Sequence, residues 1–428
     1  MLIGAVADDI TGASDLCLML SREGLRTVQV IGVPPVGVAL PDADAVVIAL
    51  KSRSVPAADA VGMSLAALRA LTDAGALQIL FKYCSTFDST DAGNIGPVTD
   101  AMMTALGTDL TIACPSFPAA GRTTYKGHLF VGDQLLSDSP LRDHPLNPMR
   151  DANLMRVLGR QTRQPIGLVD IDTVRLGADA LKAAFADRRA QGQRILIVDT
   201  LSDTDLRTIG AACADMRFIT GGSGIGLGLA RNAVISGLIA SRTASPSPMP
   251  APTGRAVVLA GSCSVATRRQ IAAAQEAGLP SLAVDATALA TGTQSVAQLA
   301  DWAISQPYDA VPVIYSSVAP DLLERLRTQR ASHDIGALIE QTLAGLAVSL
   351  RDAGFCRFVI AGGETSGAVV AALGVKTLEI GPEIDPGVPW TRSVGSHDLA
   401  LALKSGNFGS ADIFSRAFTL LQPDIRHE

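Results

Sequence analysis

Short apolar runs rich in β-branched residues recur along this chain, and Ala- and Leu-rich segments with helical spacing lie between several of them. In the first part these runs are LIGAVA, RTVQVIGV, AVVIAL, ILFKYC, LTIAC, IGLVDI, RILIVD and RFIT, with the helix-like stretch Gly62 to Ala74 among the connecting segments. Later in the chain AVVLAG, SLAVDA, VPVIYS and FVIAGG repeat the arrangement, separated by segments such as Val265 to Ala277 and Ile335 to Ala353. Continuous apolar runs of this length alternating with amphipathic helices are what a parallel sheet covered on both faces requires. The expected fold class is therefore α/β, with two domains, each a mostly parallel sheet covered by helices, and a ligand cleft between them.

The boundary is expected in SPSPMPAPTG, Ser245 to Gly254, whose prolines favour extended backbone and withhold N–H donors. This gives residues 1–244 as one domain, 245–254 as a Pro/Ser-rich linker and 255–428 as a second domain.

Composition excludes several classes of function. With 48% apolar and 18% charged residues the chain can bury a large core, which argues against disorder. Lys and Arg number 35 against 41 Asp and Glu, a net charge of -6, so the long-range field repels a nucleic-acid backbone. A small anion can still be held by local N–H groups and a few aimed cations. The six cysteines contain no CxxC pair and the five histidines no HExxH, so free thiols in a reducing compartment are expected and the sequence names no metal ligands. The N-terminus MLIGAVADDI has no basic n-region, and no long uninterrupted apolar window follows, so the protein is expected to be cytoplasmic and without a membrane partner.

In parallel α/β sheets ligands bind beyond the carboxyl ends of the strands, so the residues just after each run are the candidates for chemistry. LIGAVA ends in Asp8-Asp9-Ile10-Thr11-Gly12. One carboxylate would serve as a helix cap, but two exceed that need and suit holding hydroxyls, accepting a proton or meeting Mg2+. AVVIAL ends in Lys51-Ser52-Arg53, and ILF in Lys82-Tyr83-Cys84-Ser85-Thr86-Phe87-Asp88. A lone Arg is ordinarily a solvated surface residue. Arg53 and Lys82 closing neighbouring buried strands beside hydroxyl-rich loops fit an anionic, hydroxylated small molecule, since Arg can fork a carboxylate while Ser, Thr and Asp meet hydroxyls.

Gly221 to Gly228 resembles a phosphate cradle at a helix start, yet no frame gives GxGxxG, and close helix-to-sheet packing explains such glycines equally well. In the second domain Gly261-Ser262-Cys263-Ser264 and Gly362-Gly363-Glu364-Thr365-Ser366 each follow a predicted strand and lead into a predicted helix, an arrangement that brings backbone N–H groups and a helix dipole to an anion. Two such loops in one sheet point to a nucleotide site. The Pro-rich stretch Gly381 to Trp390 and the segment Lys404 to Gly409 are expected to be functional loops. No GxxxxGK[ST] and no HRD or DFG element occurs, which excludes P-loop and protein-kinase machinery.

Taken together these segments resemble the four-carbon acid sugar kinase family over most of the chain. ADDITGA, KSRS, the Lys82 loop, GGSG, GSCS, GGETSGAVV and IGPEIDPGVPW occur in that family's order. The version KYCSTFDST, followed by GNIGPV and by Gly121 to Met149, looks like the 3-oxo-tetronate kinase branch. Other branches commonly show KxDSTLRGN in this loop; here Cys84 stands in place of the Asp and Asp88 in place of the Arg. The resemblance implies an N-terminal acid-sugar domain and a C-terminal ATP domain, with ATP and Mg2+ used to phosphorylate the 4-hydroxyl of 3-oxo-tetronate. It also implies nucleotide contacts at Ser262, Gly362, Gly363, Glu364, Thr365, Ser366 and Gly406.

On the substrate side Arg53, Lys82, Ser85 and Thr86 are the expected binding residues, and Asp8, Asp9 and Asp88 the candidate catalytic carboxylates, with Asp9 placed first as base. The partners expected are the acid sugar and ATP, without nucleic acid, and a homo-oligomer is compatible with the sequence. Rival readings are a threonate or erythronate kinase, a non-catalytic acid-sugar binding protein, and a nicotinamide-dependent oxidoreductase, the last lacking its dinucleotide fingerprint.

Overall fold

The structure, a computed structural model, describes residues 1–143, 147–239, 249–316 and 332–423. The chain divides into two compact units, Met1–Ser245 and Pro246–Glu428. Residues 240–248, which hold the first four residues of the Pro/Ser-rich stretch, lie outside the described residues.

In the first unit the strands are β1 (Ile3–Ala7), β2 (Thr27–Ile31), β3 (Ala45–Ala49), β4 (Gln78–Lys82), β5 (Thr111–Cys114), β6 (Arg122–Tyr125), β7 (His128–Val131), β8 (Gln134–Leu135), β9 (Ile166–Val169), β10 (Ile195–Val198) and β11 (Phe218–Gly221). Its main sheet runs β2-β3-β1-β4-β11-β5-β10-β9, and every neighbouring pair is parallel. Each apolar run expected before residue 245 supplies one of these strands. All five residues of β1 and of β3 are buried, as a sheet covered on both faces demands. Each fully buried Val, Leu or Ile side chain there contributes about 1.5–3 kcal/mol.

Helix Ile10–Arg22 leaves β1 at Asp9, whose side chain accepts from Gly12 N. It is buried on nearly every side because it packs on the sheet and against helix Ile225–Ile235. Gly226 makes that packing close, since a Cβ there would lie 2.9 Å from Leu16 Cδ1, and other glycines of the Gly221 to Gly228 stretch meet backbone elsewhere. A Cβ on Gly221, Gly222 or Gly224 would collide with the carbonyl oxygen of Cys114, Pro115 or Ser116, and one on Gly228 with that of Leu206. These glycines therefore serve close helix-to-sheet and helix-to-helix contact. Strands β6, β7 and β8 form a separate antiparallel meander. Its first turn, Lys126-Gly127, has positive φ at both residues, and the buried Asp199 carboxylate accepts both of their N–H groups.

The second unit contains β12 (Pro250–Ala251), β13 (Arg255–Ala260), β14 (Ser281–Ala283), β15 (Val313–Tyr315), β16 (Phe355–Ala361), β17 (Thr377–Asp385), β18 (Val388–Val394), β19 (Ala400–Lys404) and β20 (Gln422–Pro423). The run β14-β15-β13-β16-β19 is parallel throughout, and β18 and β17 extend it antiparallel. Both units are thus α/β with mostly parallel sheets.

One expectation is corrected here. Gly381 to Trp390 is not a loop but most of a hairpin between β17 and β18, turning at Pro386-Gly387. Register shifts between Ile380 and Glu383 and between Glu383 and Asp385 interrupt the ladder in the stretch that contains Pro382, as a residue without an N–H requires. Trp390 is fully buried and its Nε1 donates to Ala417 O.

Candidate functional site

In the first unit the chain passes from β1 to β2 and β3 on one side, and later to β4 on the other side of β1. The carboxyl end of β1 therefore lies at the topological switch point, where such sheets bind ligands. Asp8 follows it directly. Its N donates to Lys82 O, and its O accepts from Ser52 N and Arg53 N, which knits the ends of β1, β3 and β4 together.

The side chains meet at the same place. Arg53 Nε donates to Asp8 Oδ2 at 2.8 Å and Nη2 to Asp8 Oδ1 at 2.7 Å, while Nη2 also reaches Asp9 Oδ1 at 2.6 Å. Asp9 further accepts from Thr11 Oγ1 at 2.6 Å and Gly12 N at 3.2 Å, and Lys82 Nζ stands 3.9 Å from its Oδ1. A Cβ at Gly12 would strike Lys82 Nζ and the Asp9 carboxylate, so only glycine allows this approach. Burial pushes the Asp8 carboxyl up, more than Arg53 pulls it down. Burial acts on Asp9 as well, but Arg53, Lys82, Thr11 and Gly12 together hold it well below the usual carboxylate range. The arrangement is two carboxylates and two cations in a largely buried cluster, with Asp9 firmly ionised.

The loop after β4 carries the hydroxyls. Ser85 and Thr86 are buried; Thr86 Oγ1 donates to Asp88 Oδ1 at 2.6 Å and lies 2.9 Å from Cys84 Sγ. Burial, then Asp88, raises the Cys84 thiol to about 11, against the pull of Arg53 and Lys82, so this loop and the carboxylate cluster share one electrostatic environment. Phe87 sits between Thr86 and Asp88 at φ 54, a left-handed conformation uncommon for a bulky residue. Its ring is fully buried edge-on against Tyr83, whose hydroxyl lies 3.0 Å from Thr220 Oγ1.

In the second unit three loops converge at the carboxyl ends of β13, β16 and β19. Gly261 N and Ser262 N donate to Ala361 O, and Gly362 N donates to Lys404 O. Gly362, at φ 125, opens helix Gly363–Ala372, which puts Gly363, Glu364 and Thr365 in its first turn, where N–H groups lack helical partners. A Cβ at Gly406 would lie 2.5 Å from Ser262 Oγ, and one at Gly362 3.0 Å from Thr365 Oγ1. Ser264 Oγ and Thr267 Oγ1 both donate to Gly406 O, at 2.6 and 2.9 Å. Ser366 is turned inward, with no exposure and its hydroxyl 3.5 Å from Ile360 O. Close backbone, glycines and a helix start form a cradle of the kind that takes phosphate groups.

Comparison with known proteins agrees with this division. Residues 3–229 match a family model described as a sugar-binding N-terminal domain, and residues 257–414 one described as a nucleotide-binding C-terminal domain. The chain is 53% identical to a 3-oxo-tetronate kinase of Pseudomonas fluorescens, covering 97% of this chain and 96% of that protein. It is 52% identical to one of Burkholderia multivorans, covering 98% and 97%. The chain belongs to the four-carbon acid sugar kinase family, in its 3-oxo-tetronate kinase branch. A solved Haemophilus influenzae protein is 42% identical with a TM-score of 0.75, covering 98% of this chain and 100% of that one. A Salmonella typhimurium LT2 protein, solved under a provisional tRNA synthase name, is 41% identical with a TM-score of 0.83, covering 97% and 98%.

In this kinase the structure gathers Asp8, Asp9, Arg53 and Lys82 into one cluster, keeps Ser85, Thr86 and Asp88 on the adjoining loop, and brings Ser262, Gly362, Thr365 and Gly406 together in the other unit. It also shows the surroundings of residues that the quoted motifs contain without a stated task, Asn94 and Arg122, and of Gln161 outside them. Asn94 Nδ2 donates to the carbonyls of Ser52, Arg53 and Val55 and so fixes the Arg53 turn. Gln161 Nε2 donates to Ser89 Oγ and Thr90 O, tying down the end of the Lys82 loop. Burial lowers the pKa of Arg122, against the fields of Cys84, Asp15 and Asp88. Asn94 and Gln161 act on carbonyls and a hydroxyl far away in sequence, and no local pattern marks such contacts.

Proposed function

We propose that this kinase transfers the γ-phosphoryl group of ATP to the terminal hydroxyl of 3-oxo-tetronate, giving 3-oxo-tetronate 4-phosphate. The full-length likeness to proteins of that name carries the substrate assignment. The 4-hydroxyl oxygen forms the new O–P bond, the bond between the γ-phosphorus and the bridging oxygen breaks, ADP leaves with that electron pair, and a carboxylate takes the hydroxyl proton. Such a transfer asks chiefly for positioning and for charge to offset the moving phosphoryl group.

Asp8 and Asp9 have their oxygens engaged by Arg53, Thr11 and Gly12, whereas Asp88 Oδ2 has no partner among the described residues. We therefore assign proton acceptance to Asp88, and to Asp8 and Asp9 the orientation of Arg53 and Lys82 toward the substrate carboxylate. Ser85 and Thr86 meet the oxo and hydroxyl groups. Backbone N–H groups around Gly362 and Gly406 fit the ATP phosphates. Among the described residues no cluster of three or more His, Cys, Asp or Glu is placed to hold a metal, so Mg2+ is assigned to arrive on the ATP phosphates, as it commonly does with few protein ligands. Six unpaired cysteines support a reducing, cytoplasmic setting, and among the described residues no helix is long and apolar enough to cross a membrane.

Product identity tests this reading. The phosphorus resonance of the product, coupled to the two protons of one carbon, would place the phosphate on the terminal CH2. Coupling to a single proton would place it on C2 and remove the 4-hydroxyl assignment.

A further inference from the structure

Lys404 closes β19 with no exposure to solvent. Its Nζ donates to four oxygens: the carbonyls of Ser405 at 3.0 Å, Gly406 at 3.1 Å and Phe408 at 3.1 Å, and Thr267 Oγ1 at 3.2 Å. No carboxylate pairs with it among the described residues. A buried cation held only by neutral oxygens is costly, and an apolar side chain of similar length would fill the same space without that cost. The charge therefore has a use other than filling space.

What it does to the backbone is specific. In a planar trans peptide the C=O and the following N–H point in opposite directions. Drawing the Ser405 and Gly406 carbonyls inward turns the N–H groups of Gly406 and Asn407 outward, and neither donates to a group among the described residues. Gly406 is also the residue whose carbonyl Ser264 and Thr267 fasten and whose Cα faces Ser262. Successive outward N–H groups with a positive charge behind them make an anion-binding concavity.

We propose that Lys404 is a positioning residue of the nucleotide site, whose ammonium gathers the carbonyls of residues 405–408 so that the Gly406 and Asn407 N–H groups face the phosphates of ATP. The inference rests on the reading that this unit holds ATP. Burial pushes the Lys404 pKa down to about 7, and Asp385 on β17 pulls it the other way. Asp385 is itself bound by Ser410 and Arg416, and helix Val265–Glu276 presents the neutral Thr267 hydroxyl. A neutral amine would meet four acceptors with two hydrogens and a lone pair, so loss of the proton loosens the loop. Nucleotide affinity then falls as pH rises above neutrality.

The test is MgADP binding by calorimetry, with KM for ATP and for the acid sugar, on wild type, Lys404→Met and Thr267→Val between pH 6.5 and 9. Lys404→Met is expected to raise the Kd for MgADP and the KM for ATP by about tenfold or more, with acid-sugar KM within about twofold of wild type and no pH dependence of MgADP affinity. Thr267→Val, which removes one of the four oxygens at nearly constant volume, should raise both nucleotide constants about threefold. Because Thr267 also fastens Gly406 O directly, the pH profile of wild-type MgADP affinity decides the matter if Lys404→Met fails to fold. Wild-type affinity for MgADP in the variants, or a wild-type affinity flat across this pH range, would overturn the proposal. If wild type itself binds no MgADP, it is the nucleotide reading that fails.

Discussion

Arg53 and Asp8 form a two-bond fork, Nε to Oδ2 at 2.8 Å and Nη2 to Oδ1 at 2.7 Å, at the ends of two neighbouring parallel strands. The same guanidinium reaches Asp9 at 2.6 Å. One cation thus holds two carboxylates that would otherwise repel each other in a buried cluster, and the site's geometry depends on that fork. Lysine cannot replace it, because a single ammonium cannot meet both oxygens of Asp8 in one plane.

Removing the cation leaves a buried carboxylate uncompensated. Arg53→Met is expected to lower unfolding stability of the N-terminal unit by about 3–5 kcal/mol, read from urea denaturation, and to abolish measurable turnover. Adding Asp8→Asn to Arg53→Met should recover part of that stability but none of the activity, since no lone charge is then left at position 8. A double variant no more stable than the single one would contradict the coupling.

Asp88 and Asp9 separate by kinetics. Asp88→Asn is expected to lower kcat by about a hundredfold or more while the acid-sugar KM stays near wild type, as loss of a proton acceptor does. Asp9→Asn should act mainly on KM, through the orientation of Arg53 and Lys82. The opposite split would return the base to Asp9.

Phe87 gives a stability test whose sign is unusual. Phe87→Ala removes a fully buried ring and should cost about 3–5 kcal/mol. Phe87→Gly removes the same ring but also the penalty of φ 54, so it is expected to be about 1 kcal/mol more stable than Phe87→Ala. Glycine is the worse choice at ordinary positions, so the order of the two melting temperatures reports the strained backbone directly.

Acid unfolding reports Asp9. Its folded pKa lies below the ordinary 3.8, so below about pH 5 the unfolded chain begins to bind the proton first, and stability falls as pH drops through 4 toward the folded value. Above about pH 5 the contribution is complete and flat. Asp8, raised by burial, has the opposite sign: it favours the folded state at low pH and loses that contribution as pH climbs through its folded value. Asp9→Asn should therefore flatten the acid limb of the stability curve between about pH 4 and 2. An unchanged limb would mean that Asp9 is not held ionised by Arg53 and Lys82.

The fold was largely legible because buried parallel strands write themselves as unbroken apolar runs. LIGAVA, AVVIAL and FVIAGG needed no tertiary information to be seen, and the residues after them became the site. The hairpin of β17 and β18 was missed because Pro382, Pro386 and Pro389 suggest a loop, while its ladder tolerates prolines only through register shifts formed in the fold. Gly221 to Gly228 carried the letters of a phosphate loop, and only the carbonyls stacked against those glycines reveal packing. In the site, strand-end position exposed Asp8, Arg53 and Lys82, but not that Arg53 is engaged by two carboxylates. Asn94 and Lys404 lie in segments that the sequence marks, GNIGPV and Lys404 to Gly409, but what they do there, and Gln161 altogether, escapes motif reasoning because their partners are backbone oxygens, which leave no residue signature.

The substrate is the claim on which the rest depends, and coupled ADP release with MgATP tests it most directly. The panel is 3-oxo-tetronate of both hands, threonate and erythronate. Turnover of an oxo acid with kcat/KM at least about a hundredfold above threonate and erythronate is the predicted result. Equal or better turnover of threonate or erythronate would keep the kinase but contradict the assignment of the Cys84 to Asp88 loop to an oxo acid.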